Sequence, residues 1–393
     1  MTPRRFLFWI HLTAGCVAGL VILVMSVTGI LLAYRRQIIN WGDRGFQAQP
    51  APGAQRLPME DLLASTQEAQ GRPPSNITVR ADSSAPAVFD FGRERTVFVN
   101  PYTGKILGEG SPGLRKFFST VEDVHRWRGV GGQSRSSGRA VTGACNLIFL
   151  ILVSTGPFLW WPKQWNKDNP KKITLFRGGA WVRARDWNWH NVLGLWCVVP
   201  LFLIVITGVI MSYAWANNLL YRMTGNAPPP PPAGQFVPER SQNSGQRTEH
   251  GKHRSENSRF DGLEKLFARA GQQVPDFTTI SLRLPNPPAN VLTFSIDRGN
   301  GGRPDLRSQL TLDRATGEIV RLEAFSSHNR GRQLRAWARF THSGEAGGWL
   351  GQTIAVIASA GASLLVFTGL SLAVRRFFAW KGRPVKVLTT AGL

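Results

Sequence analysis

Cysteine is scarce in this 393-residue chain, which contains three, and acidic residues are outnumbered by basic ones, 24 to 47. Cys16, Cys145 and Cys197 all lie in apolar stretches, so the polar segments cannot carry a disulfide framework. We interpret these thiols as small buried hydrophobic side chains. The sequence also lacks an H-E-x-x-H motif, a phosphate-binding glycine loop and a nucleophile–base arrangement, and therefore gives no support to hydrolytic catalysis.

Charge is absent from four long stretches of the sequence. No Asp, Glu, Lys or Arg occurs in Phe6–Tyr34, Ala140–Pro162, Trp187–Tyr221 or Ala346–Val374. A helix crosses a bilayer with roughly 20 apolar residues, so each stretch is long enough to span, and a purely soluble protein is excluded. The first stretch is too long for the apolar core of a signal peptide, and no A-x-A-like cleavage site follows, so we expect a retained anchor.

The net charge of +23 is unevenly distributed. If the N-terminus is cytoplasmic, the inside segments are about twice as rich in Lys and Arg as the outside segments, which is the positive-inside bias. This distribution favours a multi-pass membrane protein over a nucleic-acid-binding one. An even number of spans then places both termini in the cytoplasm.

The spans and polar segments repeat along the chain. His11-x3-Gly15 and the later Thr28-Gly29 recur, at one constant offset, as His190-x3-Gly194 and Thr207-Gly208. His125 and His342 each precede the second span of a copy, and each of those spans also carries a Thr-Gly pair. So many matches in the same order predict an internal duplication of a helix, an outer domain and a second helix.

Each outer segment is predicted to fold as a small α+β domain. A helix-like stretch (59–64 and 263–268) is followed by extended segments, with a turn containing Thr-Gly between the last two. The predicted order is transmembrane helix 1 (6–34), first outer domain (35–125), interfacial turn and transmembrane helix 2 (126–162), cytoplasmic loop (163–186), transmembrane helix 3 (187–221), second outer domain (222–341) with a disordered linker (227–259), transmembrane helix 4 (342–376) and a cytoplasmic tail (377–393).

Four of the seven histidines occupy equivalent positions at the ends of spans. In the orientation above, His11 and His190 lie near the cytoplasmic face, and His125 and His342 lie near the outer face. Two histidines at one depth on facing helices can supply both axial ligands of a haem iron. Two such pairs would place two haems in line across the bilayer, which is a path for electrons. We predict no role for His328.

Glycines mark the same helix faces as the histidines. Gly29 and Gly208 follow His11 and His190 by about five helical turns, so each lies on the histidine's face about 27 Å along the helix. A flat macrocycle would need small residues there, and so would close helix packing. Gly15 and Gly194, about one turn after each histidine, allow the same two interpretations.

The joint order of these motifs resembles the PepSY-associated transmembrane family. The resemblance covers nearly the whole chain except 227–259, and its clearest motifs are His125-Arg126-Trp127, Gly138-Arg139, Ser154-Thr155-Gly156 and Trp160-Trp161-Pro162-Lys163. It implies a membrane α-helical bundle of four transmembrane helices with two α+β PepSY-like periplasmic domains. It also implies placement in the inner membrane of a Gram-negative bacterium.

Members of this family include di-haem ferrisiderophore reductases. The resemblance therefore implies an oxidoreductase that holds two haems b, reduces ferric siderophores at the periplasmic face and is associated with iron uptake. The sequence offers no dinucleotide-binding context for a G-x-G-x-x-G motif, so we expect a separate electron donor, a quinol or a cytoplasmic reductase.

The basic outer residues are open to two interpretations. They could attract anionic chelates or haem propionates, or they could contact lipid headgroups: Lys116, Arg126, Arg128, Arg330, Arg332, Arg335 and Arg339. Two other function classes also stay open. One is a non-redox PepSY membrane scaffold that binds a protein partner, and the other is a transporter without a redox cofactor.

Overall fold

A computed structural model describes residues 1–126, 134–162, 171, 174–177, 181–229, 260–285 and 289–381. Several predicted features lie outside these residues: Trp127 and the glycine-rich stretch after it, Arg128, Lys163, most of the loop 163–186, nearly all of the linker 227–259 and the tail beyond 381. The chain divides into two compact units. We call 1–33, 121–213 and 341–393 the helix unit, and 34–120 and 214–340 the sheet unit.

The helices and strands follow in chain order. They are α1 (Pro3–Ala33), α2 (Arg35–Gly42), α3 (Met59–Gln70), β1 (Asn76–Arg80), β2 (Ala87–Asp90), β3 (Thr96–Val99), β4 (Ile106–Glu109), α4 (Pro112–His125), α5 (Ser134–Trp160), α6 (Val182–Ser212), α7 (Ala214–Met223), α8 (Leu263–Gln273), β5 (Thr279–Arg283), β6 (Val291–Asp297), β7 (Arg307–Asp313), β8 (Ile319–Ala324), α9 (Arg330–His342) and α10 (Gly348–Lys381).

Four helices of the helix unit, α1, α5, α6 and α10, are long and apolar enough to cross a membrane. α1 packs against α5 and α10, and α6 packs against the same two helices, so α1 and α6 stand at opposite corners of a four-helix bundle. Small residues line these contacts, as is usual where helices approach closely in lipid. Gly19 lies against Val366 and Leu370, and Gly361 lies against the sulfur of Cys197.

The burial predicted for the cysteines is wrong for one of them. Cys145 and Cys197 are buried, but Cys16 is exposed on α1. The outer surface of a membrane bundle faces lipid and is as apolar as its interior, so an apolar sequence context does not indicate burial there.

The helix ends differ from the ends of the charge-free stretches. α6 begins at Val182, inside the predicted loop, and ends at Ser212, where Tyr213 has an extended backbone (φ −119°, ψ 128°). The last residues of the predicted third span form the separate helix α7. His342 ends α9, and a short 3-10 helix (345–347) precedes α10, so the helix that could cross the membrane begins after His342, the residue at which the fourth span is predicted to start.

The sheet unit contains one eight-stranded antiparallel sheet in the order β4-β3-β2-β1-β5-β6-β7-β8. The two predicted outer domains each supply four consecutive strands, and they join where β1 pairs with β5, from Asn76 opposite Arg283 to Arg80 opposite Thr279. This pairing satisfies two strand edges that would otherwise be open. The sequence did not indicate that the two domains share one sheet.

Helices α3 and α8 cover one face of this sheet and share a single apolar core with it. Fully buried side chains from both halves fill that core, among them Leu63, Ile77, Phe89, Phe294 and Leu310. The Thr-Gly turns connect β3 to β4 and β7 to β8, where the sequence predicts them. Gly104 and Gly317 occupy these turns with φ of 68° and 72°, a conformation that glycine adopts without steric cost.

The N-termini of α3 and α8 are capped by each other's carboxylates. The Met59 amide donates to Glu264 Oε2 at 3.0 Å, and the Glu264 amide donates to Glu60 Oε1 at 3.0 Å. The first amides of a helix have no partner within the helix, so each carboxylate satisfies a donor that would otherwise lack one. The exchange links the two halves of the sheet unit through their helices as well as through β1 and β5.

Removal of either carboxylate should destabilise the sheet unit. Glu60→Ala and Glu264→Ala are each expected to cost about 1 kcal/mol, because each leaves a helix N-terminal amide without its cap. Thermal unfolding of the purified protein in detergent measures the loss. Glu68→Ala, on the exposed face of α3, is the matched control. Equal unfolding temperatures for Glu264→Ala and Glu68→Ala would contradict the capping role.

Candidate functional site

The structure brings the four histidines together in the two pairs that the sequence predicts. His11 on α1 and His190 on α6 form the first histidine pair, with ring centroids 6.4 Å apart and ring planes at 84°. His125 at the end of α4 and His342 at the end of α9 form the second histidine pair, with ring centroids 6.5 Å apart and planes at 62°. All four side chains belong to the helix unit.

Threonines on neighbouring helices hold the first histidine pair. His11 Nδ1 lies 2.9 Å from the Thr155 hydroxyl on α5, and His190 Nδ1 lies 3.1 Å from the Thr368 hydroxyl on α10. Because α1 and α6 stand at opposite corners, the two rings meet inside the bundle and each is fixed by one of the intervening helices.

The second histidine pair is held in the same manner from α1 and α6. His125 Nδ1 lies 2.8 Å from the Thr28 hydroxyl. His342 Nδ1 donates to the Ile204 carbonyl at 2.8 Å and lies 3.4 Å from the Thr207 hydroxyl. Each histidine of the site therefore has its Nδ1 engaged by a helix other than its own.

These hydrogen bonds determine which ring nitrogen can bind a metal. A threonine hydroxyl has one proton, and each of these threonines donates it to the carbonyl four residues earlier in its own helix: Val24, Ile151, Leu203 and Leu364. The threonine oxygen must then accept from the histidine, so Nδ1 carries the proton. Nε2 keeps its lone pair at all four histidines, which is the form that ligates a metal.

His125 is neutral at physiological pH. It lies outside the four long apolar helices, and burial, together with the nearby His342 and Arg126, lowers its pKa to about 4. A neutral imidazole with a fixed tautomer is ready to ligate without first losing a proton.

The spacing of both pairs fits two axial ligands of one iron. Nitrogen–metal bonds of about 2 Å, with about 1 Å from each nitrogen to its ring centre, separate two axial imidazoles by about 6 Å between centroids. Both pairs match this separation. No cluster of three or more His, Cys, Asp or Glu is suited to a metal within the described residues. A haem requires at most two axial ligands, because the macrocycle supplies the others.

Two of the four predicted glycines lie beside the second histidine pair. A Cβ at Gly29 would lie 3.7 Å from His125 Cε1, and a Cβ at Gly208 would lie 3.2 Å from His342 Cε1. These glycines therefore let the histidine rings approach α1 and α6 closely.

The other two predicted glycines face little protein. A Cβ at Gly15 would meet only Leu152, at 4.0 Å, and one at Gly194 only Leu365, at 3.8 Å. Close packing against the neighbouring helices therefore does not by itself require glycine at these two positions.

The sequence interpretation missed the residues that orient the rings. Three of the histidines are hydrogen-bonded by threonines, namely Thr28, Thr155 and Thr368. Gly369 lies beside the His190 ring, and a Cβ added at Gly369 would lie 3.2 Å from His190 Cε1. The signal was present, because a Thr-Gly pair occurs in all four spans. The pattern alone did not show that the threonine of each pair faces a histidine from another helix.

Two of the predicted basic residues already have a carboxylate partner, and Arg126 Nε lies 3.5 Å from Glu122 Oε1. Arg332 donates two hydrogen bonds to Glu323, at 2.9 and 3.1 Å, and these bonds hold the pKa of Glu323 below its ordinary value. Arg332 therefore offers less charge to an anionic ligand than its position in an arginine-rich helix suggests.

The comparisons with known proteins give one match. The family model described as the PepSY-associated TM region matches residues 8–376. A search among curated proteins finds no match.

Substitution of Gly208 tests the packing around the second histidine pair. An added Cβ would lie 2.9 Å from Asn146 Nδ2 and 3.2 Å from His342 Cε1, so Gly208→Ala is expected to cost about 1–3 kcal/mol through overpacking. Gly194→Ala on the same helix meets only an ordinary leucine contact and is the control. Thermal unfolding in detergent compares the two variants. A Gly208→Ala protein as stable as the unmodified one would contradict this geometry.

Proposed function

The chain belongs to the family of PepSY-associated transmembrane proteins, and we propose that it is a di-haem electron-transfer protein of the bacterial inner membrane. In this proposal it reduces ferric siderophores at the periplasmic face and thereby releases ferrous iron. The observation that carries the proposal is the presence of two histidine pairs, each at the separation of two axial ligands and each with both Nε2 atoms available.

The chain's own residues would hold the cofactors and set their properties. Haem b bound at each pair would supply reversible one-electron exchange at its iron. His11 and His190 would ligate one iron, and His125 and His342 the other. The hydrogen bonds to Nδ1 fix the ring orientations and make the ligating nitrogens more basic, as outer-shell acceptors do at other metal sites.

The separation of the two pairs supports a path across the membrane. Along α1, His11 belongs to the first pair, and Gly29, about five turns or 27 Å away, lies beside His125 of the second pair. This length is close to the roughly 30 Å hydrocarbon thickness of a bilayer. The two haems would therefore lie near opposite faces.

The positive-inside bias supports a cytoplasmic first pair and a periplasmic second pair. One electron would enter near the first pair from a separate donor, a quinol or a cytoplasmic reductase, which is oxidised. The ferric iron of the siderophore would take up that electron near the second pair and become ferrous. Siderophores bind iron through hard oxygen donors, which hold ferrous iron less tightly than ferric iron.

A duplicated origin for the two halves has support from the same contacts. Thr155 on α5 holds His11 as Thr368 on α10 holds His190, and Thr28 on α1 engages His125 as Thr207 on α6 approaches His342. The sheet unit has the matching feature that each half contributes four consecutive strands on either side of the β1–β5 junction.

The absorption spectrum of the purified protein tests the proposal. Oxidised and dithionite-reduced spectra should have low-spin b-type bands, with two haems per chain. His11→Ala and His125→Ala should each remove about half of the haem, because each breaks one pair. His328→Ala is the control, since His328 lies in the sheet unit, outside both pairs.

Reduced protein is mixed with a ferric siderophore in the presence of a ferrous-specific chelator. The reduced-haem absorption bands should disappear, and the chelator should bind one ferrous iron for each electron that the protein loses. A colourless, well-folded protein made with ample haem would defeat the proposal and favour a non-redox PepSY scaffold. Full haem content in either histidine variant would defeat the assigned pairing.

A further inference from the structure

A buried carboxylate lies one helical turn before His190. Asp186 on α6 is 3% exposed and is the only Asp or Glu among the buried residues of the described chain. Its Oδ2 accepts a hydrogen bond from the Ser371 hydroxyl on α10 at 2.8 Å, and its Oδ1 accepts one from Arg185 at 3.1 Å. The function proposed above gives this carboxylate no role.

Asp186 and His190 connect α6 to α10 at two successive levels. Residues four apart lie on one face of a helix, so the Asp186–Ser371 contact lies about one turn from the His190–Thr368 contact. The carboxylate therefore helps to hold α6 against α10 about one turn from the level at which the His190 ring meets its threonine. A loss of the Asp186–Ser371 contact would loosen the His190 ring without touching its ligating nitrogen.

The other half of the chain has no such contact. At the offset that aligns His11 with His190, Leu7 occupies the position of Asp186. At the offset that aligns Thr155 with Thr368, Phe158 occupies the position of Ser371. The hydrogen bonds to the histidines are repeated in both halves, but this carboxylate is not.

We propose that Asp186 is a positioning residue for His190 and that its buried negative charge makes the first haem electrostatically different from the second. The inference rests on the function proposed above. A negative charge near a haem stabilises ferric iron relative to ferrous iron and so lowers the reduction potential of that haem. Arg185 and Arg375 flank the carboxylate, but their side chains are 43% and 44% exposed, so water screens their charges more than that of Asp186.

Asp186→Asn separates the charge from the hydrogen bond. The amide keeps an oxygen that can accept from Ser371, so the helix contact survives while the charge is lost. Redox titration of the haem bands should give two haems per chain, with the midpoint potential of one raised and that of the other unchanged. In a His125→Ala background, where the haem of the first pair remains, the retained haem should have the raised potential.

Ser371→Ala tests the positioning role and gives a second route if Asp186→Asn does not fold. It should alter the low-spin electron paramagnetic resonance signal of the first-pair haem, because α10 is no longer tied to Asp186 and its Thr368 can shift relative to α6 and turn the His190 ring. Ser363→Ala on the same helix is the control, since the Ser363 hydroxyl bonds the Ser359 carbonyl of its own helix.

Three results would overturn the inference. They are unchanged potentials in Asp186→Asn, a shift confined to the second-pair haem, and an identical resonance signal in Ser371→Ala and Ser363→Ala. A failure of the proposed function is distinguishable from these results, because it would be seen as missing haem in the unmodified protein.

Discussion

The hydrogen bond from a histidine Nδ1 to an acceptor on another helix is the interaction on which the helix unit depends. An imidazole within an apolar bundle needs a partner for its N–H, because no water is present to supply one. Threonine meets this need at low cost, since its own proton is used by the helix backbone and its oxygen can still accept. One contact thus satisfies a buried polar group, aligns two helices and leaves the other ring nitrogen with its lone pair.

The same contact explains why the motifs recur in this order. A threonine followed by glycine provides an acceptor and, on the adjacent position, room for the ring that uses it, as Gly208 and Gly369 do for His342 and His190. Loss of Thr368 would leave the His190 donor unsatisfied, and a side chain at Gly208 or Gly369 would crowd the ring beside it. The glycine and the threonine therefore act together as one binding position for the histidine ring of another helix.

The membrane spans and the histidine pairs could be predicted from the sequence. The ends of α6 and the pairing of β1 with β5 could not, and both outcomes have physical reasons. Span length and the matching positions of His11, His190, His125 and His342 reflect bilayer thickness and repetition, which a sequence records directly. The ends of α6 could not be predicted, because the helix continues past the apolar run to Asp186, whose charge is satisfied by partners distant in sequence. The pairing of β1 with β5 joins strands about 200 residues apart, and alternation of apolar residues does not specify a strand's neighbour.

The junction between β1 and β5 also constrains how the protein is made. At synthesis rates of about 5–20 residues per second, β5 emerges roughly 10–40 s after β1, and two membrane helices are produced in the interval. During that time the edge of β1 is unpaired. Helix α3 also lacks the carboxylate cap that Glu264 later supplies to its N-terminus. The nascent first half must therefore be kept from pairing with other chains until the second half arrives, which makes its biogenesis a problem of timing as much as of stability.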